Sequence, residues 1–179
     1  KVKRADKRYI SLSVAYGLRA RMYLSMHEYA KAADDAANAI KAAKSEGIVI
    51  ASRDEVAKPT FWSVDETNWM WGIIISETDD VVDTGICNWP SHMGSLNYGY
   101  ANYSGGRQIS LELYDAINDK DIRKSWWLDA AAEAKEGFLT DEQAAFVAKQ
   151  GYKPYTQIKF GPYNDVVGTT INANDIVLM

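Results

Sequence analysis

The chain has 179 residues, 47% of them hydrophobic, which is enough for one domain with a real core. Twenty basic residues against 24 acidic ones leave a net charge of −4, which argues against nucleic acid as a partner; no apolar run approaches the roughly 20 residues needed to cross a bilayer. With Cys87 as the single cysteine, an internal disulfide is excluded.

The charged run that opens the sequence, Lys1 to Arg4, has no apolar stretch after it and is not a signal peptide, so any export signal is expected to lie outside this sequence. The first predicted element is a helical hairpin over residues 8–47. Its first helix carries Leu12, Tyr16, Ala20, Tyr23 and Leu24 at the spacing of one helical face. The second is rich in alanine, at 30, 32, 33, 36, 37, 39, 42 and 43, and so small a side chain lets two antiparallel helices approach closely. Ala20, Tyr23, Ala32, Ala36, Ala39 and Ile40, with the turn at Met26 to Tyr29, follow the small, aromatic, small pattern of one tetratricopeptide repeat; an ordinary helical hairpin is the alternative. A lone repeat cannot bury its outer faces, so it must lean on other parts of the protein.

Past Gly47, a natural C-cap, residues 48–50 are expected as a short strand. A second strand is expected over residues 68–76, with Trp69, Trp71, Ile73 and Ile75 on one face as core. Residues 77–107 hold five glycines, Pro90 and no sustained period, which predicts one long loop. Loops of that length are usually functional or disordered, and the rings Trp89, Tyr98, Tyr100 and Tyr103 argue for an ordered, functional one. Helix resumes at Ser110 with Leu111, Tyr114 and Ile117 on one side. An ion pair or cap between Asp121 and Arg123 is expected to fix the next turn. Residues 128–136 are alanine-rich and expected as helix. The capping box Thr140 to Gln143 opens a short helix that Gly151 stops, and residues 155–160 alternate as a strand that Gly161 and Pro162 end. Asn174 and Asp175 then precede the apolar run of residues 176–179, and an apolar element begun so late is expected to continue in a longer protein.

No catalytic constellation is legible. Cys87 and His92 lack an orienting third group, His27 falls in a hairpin turn, and two histidines with one cysteine write no ordinary zinc site. The acids from Glu77 to Asp83, or Asn118, Asp119 and Asp121, offer hard oxygen ligands, but neither run has the EF-hand order; capping and solvation explain both, and calcium stays open as the one cofactor to consider. What remains is the loop. Sugars show flat C–H patches edged by hydroxyls, so proteins hold them with an indole or phenol face and hydrogen bonds from Asn, Gln, Arg or Asp. Trp89, Tyr98, Tyr100 and Tyr103 with Asn88, Asn97, Asn102, Arg107 and Gln108 supply that mixture. The competing expectation is that some of these rings only pack the loop onto helices.

The order of these parts resembles the SusD/RagB family of Bacteroidetes outer-membrane nutrient-binding lipoproteins. Three segments carry the resemblance: Ala15-Tyr-Gly-Leu-Arg-Ala-Arg-Met-Tyr-Leu24 leading to Tyr29-Ala-Lys-Ala-Ala33, then Thr67-Asn-Trp-Met-Trp-Gly72, then Leu113-Tyr-Asp115 running on to Asp121-Ile-Arg-Lys-Ser-Trp-Trp127. Ile158-Lys-Phe160 followed by Asp175 to Met179 resembles the lead-in to the family's next repeat helices. The resemblance implies a mainly α, SusD-like fold fragment with a tetratricopeptide-type hairpin, short strands and a long aromatic-rich loop: one partial domain over residues 1–179, with 1–50 as the hairpin and 51–179 as the loop-rich ligand side. It implies binding of an oligosaccharide or polysaccharide at the cell surface without catalysis, and delivery to a TonB-dependent SusC-like porter. Membrane contact would come only through a lipid anchor outside this sequence, since Cys87 is internal. A peptide ligand, as in RagB, and a pure protein-interaction scaffold are the alternatives. His27 stands where a glycine is common in the family's hairpin turn.

Overall fold

A computed structural model describes residues 4–83 and 88–179 of the chain; the opening Lys1 to Lys3 and Cys87 lie outside the described residues. The protein is mainly helical with little strand. In chain order its elements are α1 (Leu12–Ser25), α2 (Tyr29–Ser45), α3 (Arg53–Val56), β1 (Gly72–Ile73), α4 (Asp80–Asp83), α5 (Trp89–Met93), α6 (Tyr100–Tyr103), α7 (Leu111–Ala116), a 3-10 helix (Ile122–Trp126), α8 (Asp141–Gln150), a second 3-10 helix (Tyr163–Asp165) and β2 (Ile176–Val177). They divide into two compact units, Lys1–Ala51 with Val64–Ile74 and Val177–Met179, and Ser52–Ser63 with Ile75–Ile176.

The first unit is built on the α1–α2 hairpin. Ser11 caps α1, its hydroxyl accepting from the Val14 N–H at 3.4 Å. The face that α1 buries is Ser13, Val14 and Ala20, not the expected line of larger side chains: Leu12 and Leu24 are 53% and 56% exposed. Facing it, α2 presents a buried stripe of Ala32, Asp35, Ala39 and Ala43, and mostly small side chains on both helices favour their close approach. Within that stripe the buried Asp35 takes a two-pronged contact from Arg19, at 2.5 and 2.8 Å, which clamps the two helices and holds the Asp35 carboxyl below its ordinary range. Ile40, Met22, Met26 and Tyr29 stay more than half exposed. The turn closes through Glu28 N–H to Tyr23 O at 2.9 Å, with His27 in the left-handed region at φ +60°, the conformation for which glycine is the usual choice.

Residues 48–50 form no strand; Ile48 donates back to Ala43 O at 3.0 Å and Val49 donates to Thr67 O at 3.1 Å, with no ladder between them. The expected strand over residues 68–76 shrinks to β1, paired with β2, while Trp71 exchanges backbone bonds with Leu178 and Met179. Ile75 is buried as expected, at 8% exposure, but Trp69 and Trp71 are half-buried and Ile73 is exposed, so the alternation does not mark one continuous core face. Strands of two residues bury no continuous side.

The second unit has its core in Leu96, Leu128, Phe138, Val147, Tyr152 and Ile158, flanked by Trp126, Leu139 and Phe146. The α8 helix forms as expected, opened by the Thr140–Gln143 capping box and closed by Gly151 at φ +63°. Asp121 both caps the first 3-10 helix, accepting from Arg123 N–H at 3.0 Å, and grips the Arg123 guanidinium at 2.6 Å. Residues 128–136 do not form the expected helix. Asp129 accepts from the backbone N–H of Ala131 and Glu133 and so offers the chain a tight turn, with Ala132 at φ +62°, in competition with helical bonds. Residues 155–160 form no strand: Tyr155 stands in a turn at φ +64°, and beyond it Thr156 bridges Gln108, Gln157 bridges Trp127, and Phe160 bridges Thr60, three different partners and no common ladder.

Candidate ligand-binding site

Residues 77–107 are not one long loop. Three short helices, α4, α5 and α6, punctuate the stretch, and local chemistry explains the last two. Asn88 accepts from the Ser91 N–H at 2.9 Å as N-cap of α5, with Pro90 in the first turn, where its missing N–H costs nothing. At α6, Asn102 folds back to accept from the Gly99 N–H at 2.6 Å. A β-carbon on Gly99 would stand 2.9 Å from the Ser91 carbonyl oxygen, so only glycine lets α6 start this close to α5.

Each helix displays two rings three positions apart, hence on one face: Trp89 and His92 on α5, Tyr100 and Tyr103 on α6. The His92 and Tyr100 rings stack at 4.6 Å with 33° between their planes, which joins the two pairs into one strip. Tyr98 meets Tyr103 edge to face at 6.0 Å and their hydroxyls bond at 2.9 Å, which raises the Tyr98 phenol above its ordinary range and keeps it neutral. Trp89 stands edge-on to Phe160 at 5.0 Å, and the Arg107 guanidinium lies 6.0 Å from the Tyr100 ring centre, steadied by a 2.6 Å bond to the Ser104 hydroxyl. The rings are not sealed: exposure is 41% for Trp89, 38% for Tyr98, 42% for Tyr100 and 73% for Tyr103.

Asn88 and Asn97, expected beside these rings as ligand contacts, lie beneath them instead. Both are buried, and their amides are engaged inside the protein. The Asn88 Nδ2 donates to Asn172 O at 2.9 Å. The Asn97 amide donates to Asn174 Oδ1 at 2.6 Å and accepts from the Tyr163 N–H at 2.9 Å, while Asn174 donates to Gly161 O and Asn172 to Tyr98 O. Asn102 donates to the Tyr152 hydroxyl, which donates in turn to Ser95 O at 2.7 Å; burial pushes the Tyr152 phenol well up, so it remains a donor at any ordinary pH. Every buried side-chain polar atom of the described residues has a partner. The strip therefore rests on a fully bonded amide base, which fixes where the rings point.

Asn172, Asn174 and Tyr152 are the residues that reading the sequence missed, because they lie roughly 50 or more positions from the rings they support. The proposed calcium ligands show other employments: Asp119 pairs with Lys124 at 2.7 Å, Asp121 with Arg123, and Asn118 accepts from the Lys120 N–H. Among the described residues no three His, Cys, Asp or Glu side chains converge as a metal site would need. No helix of the described residues is long and apolar enough to cross a membrane. No family model, curated protein or solved structure matches the chain.

Proposed function

We propose that this chain is a binding protein without catalysis, whose strip of Trp89, Tyr98, Tyr100 and Tyr103 with Arg107 receives an oligosaccharide or polysaccharide. The observation that carries the proposal is the exposure of all four rings on a base that cannot shift without breaking buried hydrogen bonds. Flat, wettable faces held in place suit the C–H patches of sugar rings, and the phenol and guanidinium donors suit their hydroxyls. Preorganisation matters because weak stacking contacts give affinity only where little ordering entropy is lost on binding.

The SusD/RagB resemblance supplies the setting of the proposal: a lipid-anchored outer-membrane protein that passes its ligand to a TonB-dependent SusC-like porter, with the α1–α2 hairpin as one tetratricopeptide-type unit of the scaffold. In support, α2 presents small side chains to α1, and Leu12, Met22, Leu24 and Ile40 lie more than half exposed on the hairpin, as on a repeat that stacks against neighbours. A glycan array probed with the protein, and with Trp89→Ala and Tyr100→Ala, tests the binding proposal. Selective binding that both variants weaken supports it; binding unchanged in both removes the strip from the site, and hits confined to a peptide library replace the ligand class.

A further inference from the structure

Two stretches build the strip and its border, residues 88–111 and residues 143–164, and neither contains a single Asp or Glu, although the chain as a whole carries 24 acids in 179 residues, about one in seven. Cations do occur in them. Arg107 lies at the Tyr100 end, its guanidinium bonded to the neutral Ser104 hydroxyl. Lys153 runs its stem along Gly105, the residue after Ser104, close enough that a β-carbon there would touch its Cε at 3.3 Å. At the other end, the Lys159 ammonium sits 4.7 Å from the centre of the Phe160 ring that Trp89 abuts, and also over the Phe61 and Trp126 rings. None of these three cations makes a salt bridge among the described residues. Two other basic groups of the same unit do pair, Arg123 with Asp121 and Lys124 with Asp119.

We propose that the ligand of this strip is an anionic glycan, one bearing carboxylate or sulfate groups, whose rings stack on Trp89 and Tyr100 while its charges meet Arg107 and Lys153 at one end and Lys159 at the other. The inference rests on the glycan-binding proposal above and names its substrate class. Arg107 presents free N–H groups in the planar fork that matches a carboxylate or sulfate, and stacking on Tyr100 with a tether to Ser104 orders that fork before any ligand arrives. Lys159 is partly withdrawn from water, and burial lowers its affinity for a proton; an incoming anion reverses that penalty, as the three rings around it do only in part. A protein of net charge −4 repels polyanions at long range, so a selective anion site on such a surface requires local cations such as these three, which make no salt bridge among the described residues.

The test is a titration of the protein with three oligosaccharides of matched length: an oligogalacturonate, a chondroitin sulfate fragment and a neutral glucan. Expected is binding of at least one acidic ligand at least tenfold tighter than the glucan, weakened by added salt, and a loss of about tenfold for Arg107→Gln and severalfold for Lys153→Gln, an exposed site where the fold is not at stake. Arg107→Lys, which keeps the charge and loses the fork, should fall between. Glucan binding equal to acidic binding, with no effect of salt or of Arg107→Gln, overturns the anionic class and leaves glycan binding intact. Failure of all three sugars, and of the wider array, overturns glycan binding itself.

Discussion

Replacing Asn97 with alanine removes the side chain at the centre of the amide base. The Tyr163 N–H loses its 2.9 Å acceptor and Asn174 Oδ1 loses its 2.6 Å donor, both in a region where Asn97 and Asn174 are 1% and 3% exposed. A buried polar group left without a partner costs about 1–3 kcal/mol, so two orphans cost about 2–6 kcal/mol. One water entering the vacated space restores part of this, which sets the expected loss at about 2–4 kcal/mol. In urea unfolding, with a slope of about 2 kcal/mol/M for a chain this size, the midpoint should fall by about 1–2 M. Glycan affinity should fall with it, because Asn174 and Asn172 then lose the neighbour that orders the Tyr98 segment. A midpoint within about 0.2 M of the parent would refute the claim that this network holds the site rigid.

Three further changes probe other parts of the account. Gly106 lies at φ +85° with a β-carbon position that overlaps Thr156 Cγ2, so Gly106→Ala should cost about 1–3 kcal/mol by thermal or denaturant unfolding, against no more than a few tenths if the turn relaxes freely. His27 holds the αL position of the hairpin turn, and His27→Gly should raise the melting temperature by about 0.5–1 kcal/mol worth of stability, less the 3.0 Å contact from its ring to the Tyr29 hydroxyl; a fall would show that this contact outweighs the backbone strain. Asp121 is drawn down to about 2, first by its hydrogen bonds to the Arg123 side chain and then by the Arg123 backbone N–H. Its folded value lies below its unfolded one, near 4, so its contribution is full above about pH 4 and is lost as pH falls toward 2. Acid melting curves should therefore lose part of their slope in that window in Asp121→Asn, and identical slopes would contradict the assignment.

What could be seen in the sequence was whatever local chemistry decides. The hairpin, the Thr140 capping box with its Gly151 stop, and the Asp121–Arg123 turn all follow from residues within a few positions of each other, and all three stand in the structure. The cap of α5 was legible as well, since Asn88, Trp89 and Pro90 in succession are an N-terminal signature, yet the glycines around it masked two helices as a loop. Residues 128–136 failed for the opposite reason: alanine content favoured helix, and one carboxylate, Asp129, outbid it by bonding two backbone N–H groups. Strands were overdrawn at residues 48–50, 68–76 and 155–160 because alternation shows which side chains face one way, not whether a neighbour is long enough to pair. At the site, the rings were identified by type, but an asparagine that binds ligand and one that braces the chain look the same until partners such as Asn172, 75 positions from Asn97, come into contact.

Calorimetric titration of the tightest array ligand into the parent protein, Trp89→Ala, Tyr100→Ala and an exposed control on α2, Lys41→Ala, tests the central claim most directly. Loss of a ring that stacks on a sugar removes about 1 kcal/mol or more, so each ring variant should bind about five- to tenfold more weakly while Lys41→Ala matches the parent. Equal affinity in all four proteins would show that the exposed rings of α5 and α6 take no part in recognition.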